Sequence, residues 1–384
     1  MLALLSTAVV MGLVRPVVAR GTIHIRSDGS VDPPTAPVQR NGNVYTFTDN
    51  IYDMIVVERD NIVVDGAGYN LQGTGAWYSK GIDLTGRSNV TIKNMEIKEF
   101  FFGVWLNASS SNSICGNKIT NNKVGIWLFD SSSNSIYGND VTANLNYGIY
   151  LGYSSGNSVS ENKITANNYY GIHLEHSSGN SICGNDITKN GFKHIANVGI
   201  QLFSSSNNNS ISGNNMTNNF YGISLWGSSN NTIYGNDITN NHYGIVLTNS
   251  HNNIIYHNNF VENTRQAYIH PSVYMNFWDD GYPSGGNYWS DYEDKYPRAK
   301  ERDDSCVWDV PYIIHADNRD RYPLMSPWSP AWGPKIPVEV PFWMRWWFWT
   351  IVITGIAVLA GAVYFLEKTE PSTPAPRHQK PACQ

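Results

Sequence analysis

The chain has 384 residues, of which 15% are charged, and a formal net charge of −5. That balance does not describe a charge-driven disordered chain, and it lacks the basic stripe that a nucleic-acid partner needs. Asn, Ser, Gly and Tyr crowd residues 85–265, whereas Trp and Pro crowd the stretch after residue 275, so differently built segments are expected.

Residues 2–19 are mostly apolar, with Arg15 within them, and close on the small residue Ala19 ahead of Arg20, the pattern of a signal peptide over 1–20. Residues 21–60 are expected to form an N-terminal cap and lead-in, and residues 61–265 carry an internal repeat of about 22 residues. One motif, Asn-x-Ile/Val, places its apolar residue at Val63, Ile92, Ile114, Ile136, Val159, Ile182, Ile211, Ile233 and Ile255. Another, Gly-Ile/Val-x-Leu, begins at Gly81, Gly103, Gly125, Gly148, Gly171, Gly199, Gly222 and Gly244. Between them lie runs such as Asn117-Lys118-Ile119-Thr120. Alternating β-branched residues mark strands, and the intervening Gly, Asn and Ser mark turns.

Three such short strands cannot form a sheet within one unit. Stacked on their copies they form three parallel sheets around one apolar core. The fold expected is therefore all-β: a right-handed parallel β-helix of about nine coils, three strands per coil. Asn94, Asn117, Asn139, Asn162, Asn185, Asn214, Asn236 and Asn258 are expected as an amide ladder at one turn. Lys118, Asp140, Lys163 and Asp186 alternate in sign just after it, as in-register neighbours should. Cys115 and Cys183 then fall three coils apart, too far for a disulfide.

Residues 266–328 are expected to cap the open end, and 329–345 to form a Pro/Trp linker. Residues 346–366 carry no charge over a length that spans a bilayer, with Trp343, Trp346, Trp347 and Trp349 at the leading edge. A transmembrane helix is expected there, with residues 367–384 as a cytoplasmic tail, the membrane as a partner and the β-helix outside.

The units resemble the parallel β-helix repeats of the pectin-lyase-like superfamily, and more narrowly those of NosD-type proteins. The ending adds to this: Gly286-Asn287-Tyr288-Trp289-Ser290-Asp291-Tyr292, Asp309-Val310-Pro311-Tyr312, and Asp320-Arg321-Tyr322-Pro323-Leu324-Met325. The resemblance implies a surface or periplasmic location and copper binding linked to maturation of a copper enzyme. The residues themselves speak against a preformed copper site. His173 and His176 are expected to point to different sides, and His242, His251 and His257 hold non-equivalent coil positions.

Two insertions, residues 73–80 and 191–197, emerge at one corner before the third strand of their coils. The outward position of that strand runs Asp83, Trp105, Trp127, Tyr150, His173, Gln201, Ser224, Val246, and the position before its Gly adds Phe102, Tyr147, Tyr170, Tyr221 and Tyr243. Trp105, Trp127, Tyr150, His173, Tyr147 and Tyr170 are the candidate platform for a glycan or cell-envelope polysaccharide, bound without catalysis. The same rings equally suit a ladder that only stiffens the sheet. A polysaccharide hydrolase or lyase on this face is the alternative, with Asp130, Glu175 and His176 as its catalytic candidates. Sugar hydrolysis needs two carboxylates about 5 to 9.5 Å apart, and no such third-strand pair is present. A NosD-type copper-binding maturation factor is the third reading. Calcium is a further candidate ligand, at Asp279, Asp280, Asp291, Asp294, Asp303 and Asp304 of the cap.

Overall fold

The computed structural model describes residues 21–191, 197–270, 274–315 and 317–329. The signal peptide (1–20), most of the linker, the transmembrane segment (346–366) and the tail lie outside the described residues. Among those described, no helix is long and apolar enough to cross a membrane.

The chain winds into a parallel β-solenoid of about ten turns. Strands such as Ser113–Cys115, Lys118–Thr120 and Val124–Phe129 make one coil and belong to the first, second and third sheets, which hold 11, 10 and 12 strands. Register is strict: Ile114 pairs with Ile136 and Ile136 with Val159, a single column with no exposed surface. Each fully buried Ile or Leu contributes roughly 1.5–3 kcal/mol. The extra coil comes from the expected lead-in: Ile23–Ile25 pairs in parallel with Ile55–Val57, and Val44–Phe47 with Ile62–Asp65. The lead-in strands Ile23–Ile25, Val44–Phe47 and Ile55–Val57 carry neither repeat motif, so their sequence reads as irregular.

The Gly of Gly-Ile-x-Leu is there for backbone proximity. A Cβ on Gly148 would sit 2.6 Å from the Gly171 carbonyl oxygen, closer than any side chain tolerates.

Corners are closed by asparagine. Asn162 is 1% exposed, and its Oδ1 accepts from the Asn139 N–H (3.0 Å) and Nδ2 (2.9 Å). Its own Nδ2 donates to the Ile136 carbonyl (2.9 Å) and Asn185 Oδ1 (3.0 Å). The expected ladder is thus present from Asn117 upward, with one correction. Asn94 is exposed in the left-handed region (φ 56°) and donates to Asp65, because the ladder position of its coil is Met95, whose N–H donates to Asn117. A similar one-residue offset affects Val63: the inward residue paired with Ile92 is Val64. Two further ladders escaped the sequence reading. One passes through Asn157 and Asn180, the other through Asn167 and Asn190, so asparagine lines all three corners.

The charged row is in register, with Lys163 3.7 Å from Asp140 and Lys118 3.0 Å from Glu96. Such exposed pairs stabilise little. Cys115 and Cys183 are three coils apart and free.

The ending caps the stack and terminates the ladders. Asn258 donates to Asn287 Oδ1, and the Asn287 N–H donates to the fully buried carboxylate of Asp320 at 2.6 Å. Asn276 ends on Asn318, and Asn263 on Gln266. Trp289 covers the last core residue, stacking on Phe260 at 4.5 Å, with Tyr312 behind it at 4.1 Å.

Replacing Asn162 by Ala strands buried donors on Asn139 and a buried carbonyl below, and is expected to cost about 2–4 kcal/mol. Asn94→Ala, at an exposed position, is expected to cost less than about 1 kcal/mol. Denaturant midpoints of the two variants check the contrast.

Candidate functional site

The outer face of the third sheet carries three side-chain columns. The middle one aligns Trp105, Trp127, Tyr150 and His173 by strand pairing, and the one beside it aligns Tyr147 with Tyr170. Trp105 and Trp127 lie 5.8 Å apart and 3° from parallel, Trp127 and Tyr150 3.8 Å and 12°, Tyr150 and His173 5.4 Å and 11°. The faces therefore cover one another along the axis, and the rings turn their edges outward. Tyr150 is 6% exposed, and its hydroxyl donates to Glu175 Oε2 at 2.7 Å. Burial raises the pKa of Tyr147, Tyr150 and Tyr170 above the ordinary phenol value, which leaves them as neutral donors.

Past His173 the middle column contracts to Gln201, Ser224 and Val246, while Tyr221 and Tyr243 on one side and Phe203 and Trp226 on the other stay large, with Val198 and Thr248 as the smaller members of those columns. A concavity of about 460 Å³ opens there. His173, Gln201 and Ser224 form its floor, Tyr170 and Tyr221 one wall, and Glu175, Phe203 and Trp226 the other. Of the six ligand-platform candidates, Tyr147, Tyr170 and His173 line this groove; Trp105, Trp127 and Tyr150 pack beside it. A smaller concavity of about 280 Å³ near Pro33 and Tyr52 adjoins Gly21, where the described residues begin.

His173 is the polar centre of the groove. It is 6% exposed, its Nε2 is 4.0 Å from Glu175 Oε2, and its Nδ1 is buried without a hydrogen-bond partner among the described residues. Burial holds its pKa down at about 4, the Glu175 charge opposing that only in part. The imidazole is therefore neutral at pH 7 and lies in the groove floor as an uncharged ring.

Asp130, Glu175 and His176 do not converge. Asp130, Tyr153 and His176 occupy the same turn in three successive coils, with φ of 48°, 50° and 50°. Tyr153 stands between the other two and stacks on His176 at 4.8 Å. Glu175 turns instead to Tyr150 and His173. Three of the six cap carboxylates are engaged: Asp279 pairs with Arg321 at 2.7 Å, Asp280 accepts from Ser284, and Asp291 pairs with Lys295 at 2.9 Å.

The family described as periplasmic copper-binding protein (NosD) matches residues 40–220 and 190–294. The chain belongs to the NosD family. Comparison with curated proteins returns no match. Among solved structures, the Dettilon tailspike protein is similar at 16% identity over 70% of this chain and 57% of its own, with a TM-score of 0.47. The periplasmic alginate epimerase AlgG, solved as a double mutant, is similar at 16% identity over 67% and 83%, TM-score 0.47. DFA-IIIase from Arthrobacter chlorophenolicus A6 reaches 15% identity over 65% of each chain, TM-score 0.44. The NosD chain thus spans little more than half the length of the tailspike.

Among the described residues no three His, Cys, Asp or Glu side chains converge as metal ligands. His257 bonds to the Ser284 carbonyl, His251 to Ser229, and His24 to Glu58.

His173 has a pH signature. Its folded pKa of about 4 lies below the unfolded value near 6.5, so between them only the unfolded chain takes up the proton. The contribution is fully present above about pH 6.5 and is lost as pH falls toward 4. His173→Gln is expected to flatten the fall in thermal midpoint between those limits relative to wild type, as scanning calorimetry would record.

Proposed function

We propose that this NosD-family protein is a non-catalytic glycan-binding protein of the cell envelope, and that the third-sheet groove holds the sugar. The observation that carries the reading is the groove itself, where the ring column gives way to Gln201 and Ser224 between two aromatic walls. Apolar sugar faces lie against Tyr170, Tyr221 and Trp226, while hydroxyls meet Gln201 and Ser224. Trp226 is 53% exposed and stands edge-on to Phe203 at 6.1 Å, so much of its indole faces the groove side and solvent.

Catalysis is the weaker reading. Among its described lining residues the groove holds one carboxylate, Glu175, whereas glycoside hydrolysis uses two. Its tyrosine hydroxyls are too weakly acidic to act as bases at neutral pH.

The family's periplasmic description fits a β-helix outside the cytoplasm. We place the apolar stretch 346–366 in a bilayer as its anchor, on sequence grounds alone.

Glycan-array binding of the full chain checks the reading. Trp226→Ala and Tyr221→Ala are each expected to weaken the selected glycan about tenfold or more, and Trp105→Ala, outside the groove, by less than about twofold. Unchanged binding in both groove variants would move the site elsewhere.

A further inference from the structure

The groove is polarised in charge. Among its described lining residues Glu175 is the one charged side chain, and no Lys or Arg joins it. Two described cations of the same columns sit coils away from it. Lys80, four coils before Tyr170 in the same column, pairs with Asp83 at 2.7 Å and lies over the Trp105 ring. Arg265, two coils beyond Tyr221, stacks over Tyr268. His173 is neutral at pH 7 and supplies no positive charge.

A uronate or sulfate would therefore enter beside a carboxylate with no compensating cation among the described lining residues, at a cost in hydration. An ammonium meets the reverse situation. Glu175 offers a charge-assisted hydrogen bond, and the walls at Tyr170, Phe203, Tyr221 and Trp226 offer ring faces and edges within one small cleft. A carboxylate set among aromatic rings is a cation-selecting arrangement.

Resting on the glycan-binding reading, we propose that the groove selects a glycan carrying free amines, a de-N-acetylated amino sugar, over neutral and acidic ones. The amine lies at Glu175, the ring between Tyr221 and Trp226, and hydroxyls at Gln201 and Ser224.

Calorimetric titration of the full chain at pH 6 with glucosamine oligomers, N-acetylglucosamine oligomers of equal length and galacturonate oligomers tests this. The glucosamine series is expected to bind at least about tenfold tighter than the acetylated one, with the galacturonate series weakest. Raising the salt is expected to erode that preference, and Glu175→Gln to reduce it to less than about twofold. The salt dependence of the wild type reads the same charge without any variant. Equal binding of amine and acetamide, tighter binding of galacturonate, or a preference unmoved by salt and by Glu175→Gln overturns the amine assignment and leaves the groove as a glycan site. Silence with all three series, together with silence on the wider array, overturns the glycan reading itself.

Discussion

The structure depends on one constraint: a buried amide at each corner must find all its partners. Turning the chain three times per coil leaves backbone N–H and C=O groups inside a dry core, where an unmet group costs about 1–3 kcal/mol. Asparagine meets the demand because its side chain carries both a donor and an acceptor, as a peptide does. Asn162 accepts twice from the coil below and donates to a carbonyl and to the next amide above. Each ladder member is satisfied only if its copies lie one coil away, so the amides enforce the register that the hydrophobic column merely favours. The ladders also explain the ending. Asn287, Asp320, Asn318 and Gln266 supply final acceptors for amides that would otherwise face an open end.

Register in turn creates the groove. In a solenoid, a change of residue size at one repeat position becomes a change of surface height one strand spacing away. The step from Tyr150 and His173 to Gln201 and Ser224 lowers the floor, while Tyr170, Tyr221, Phe203 and Trp226 keep the walls high. No insertion or special loop among the described residues is needed to form it. The stacked rings before it, Trp105 to Tyr150, act as a rigid abutment because their faces are already occupied.

Much of this was legible in the residues. The periodic Ile, Gly and Asn named the fold, the inward column and the alternating charges, because stacking converts sequence period directly into contact. Where the period was imperfect the reading slipped. Val63 and Asn94 were each assigned one position away from the true column, since local motif and tertiary register disagree in the first coils. The lead-in hid a coil because its strands lack both motifs. At the site, the columns were visible but ring orientation was not. Sequence gives adjacency, and only packing tells whether two indoles share their faces or offer them. The contraction at Gln201 was written in the repeat, yet Phe203 and Trp226 lie at a position of the strand that carries no motif, so the far wall was missed. Glu175 was noticed as a carboxylate for catalysis; its geometry makes it a lone charge among rings instead.

The most direct test is to remove one whole repeat. Asn112 and Asn134 hold equivalent positions 22 residues apart, so deleting residues 113–134 should let Trp105 stack on Tyr150 and every ladder close again. Circular dichroism with denaturant unfolding is expected to show a cooperative β-solenoid for that deletion, and loss of the transition when only residues 113–123 are removed. Collapse of the whole-repeat deletion, or equal behaviour of the two, would contradict in-register stacking as the basis of the fold and of the groove built on it.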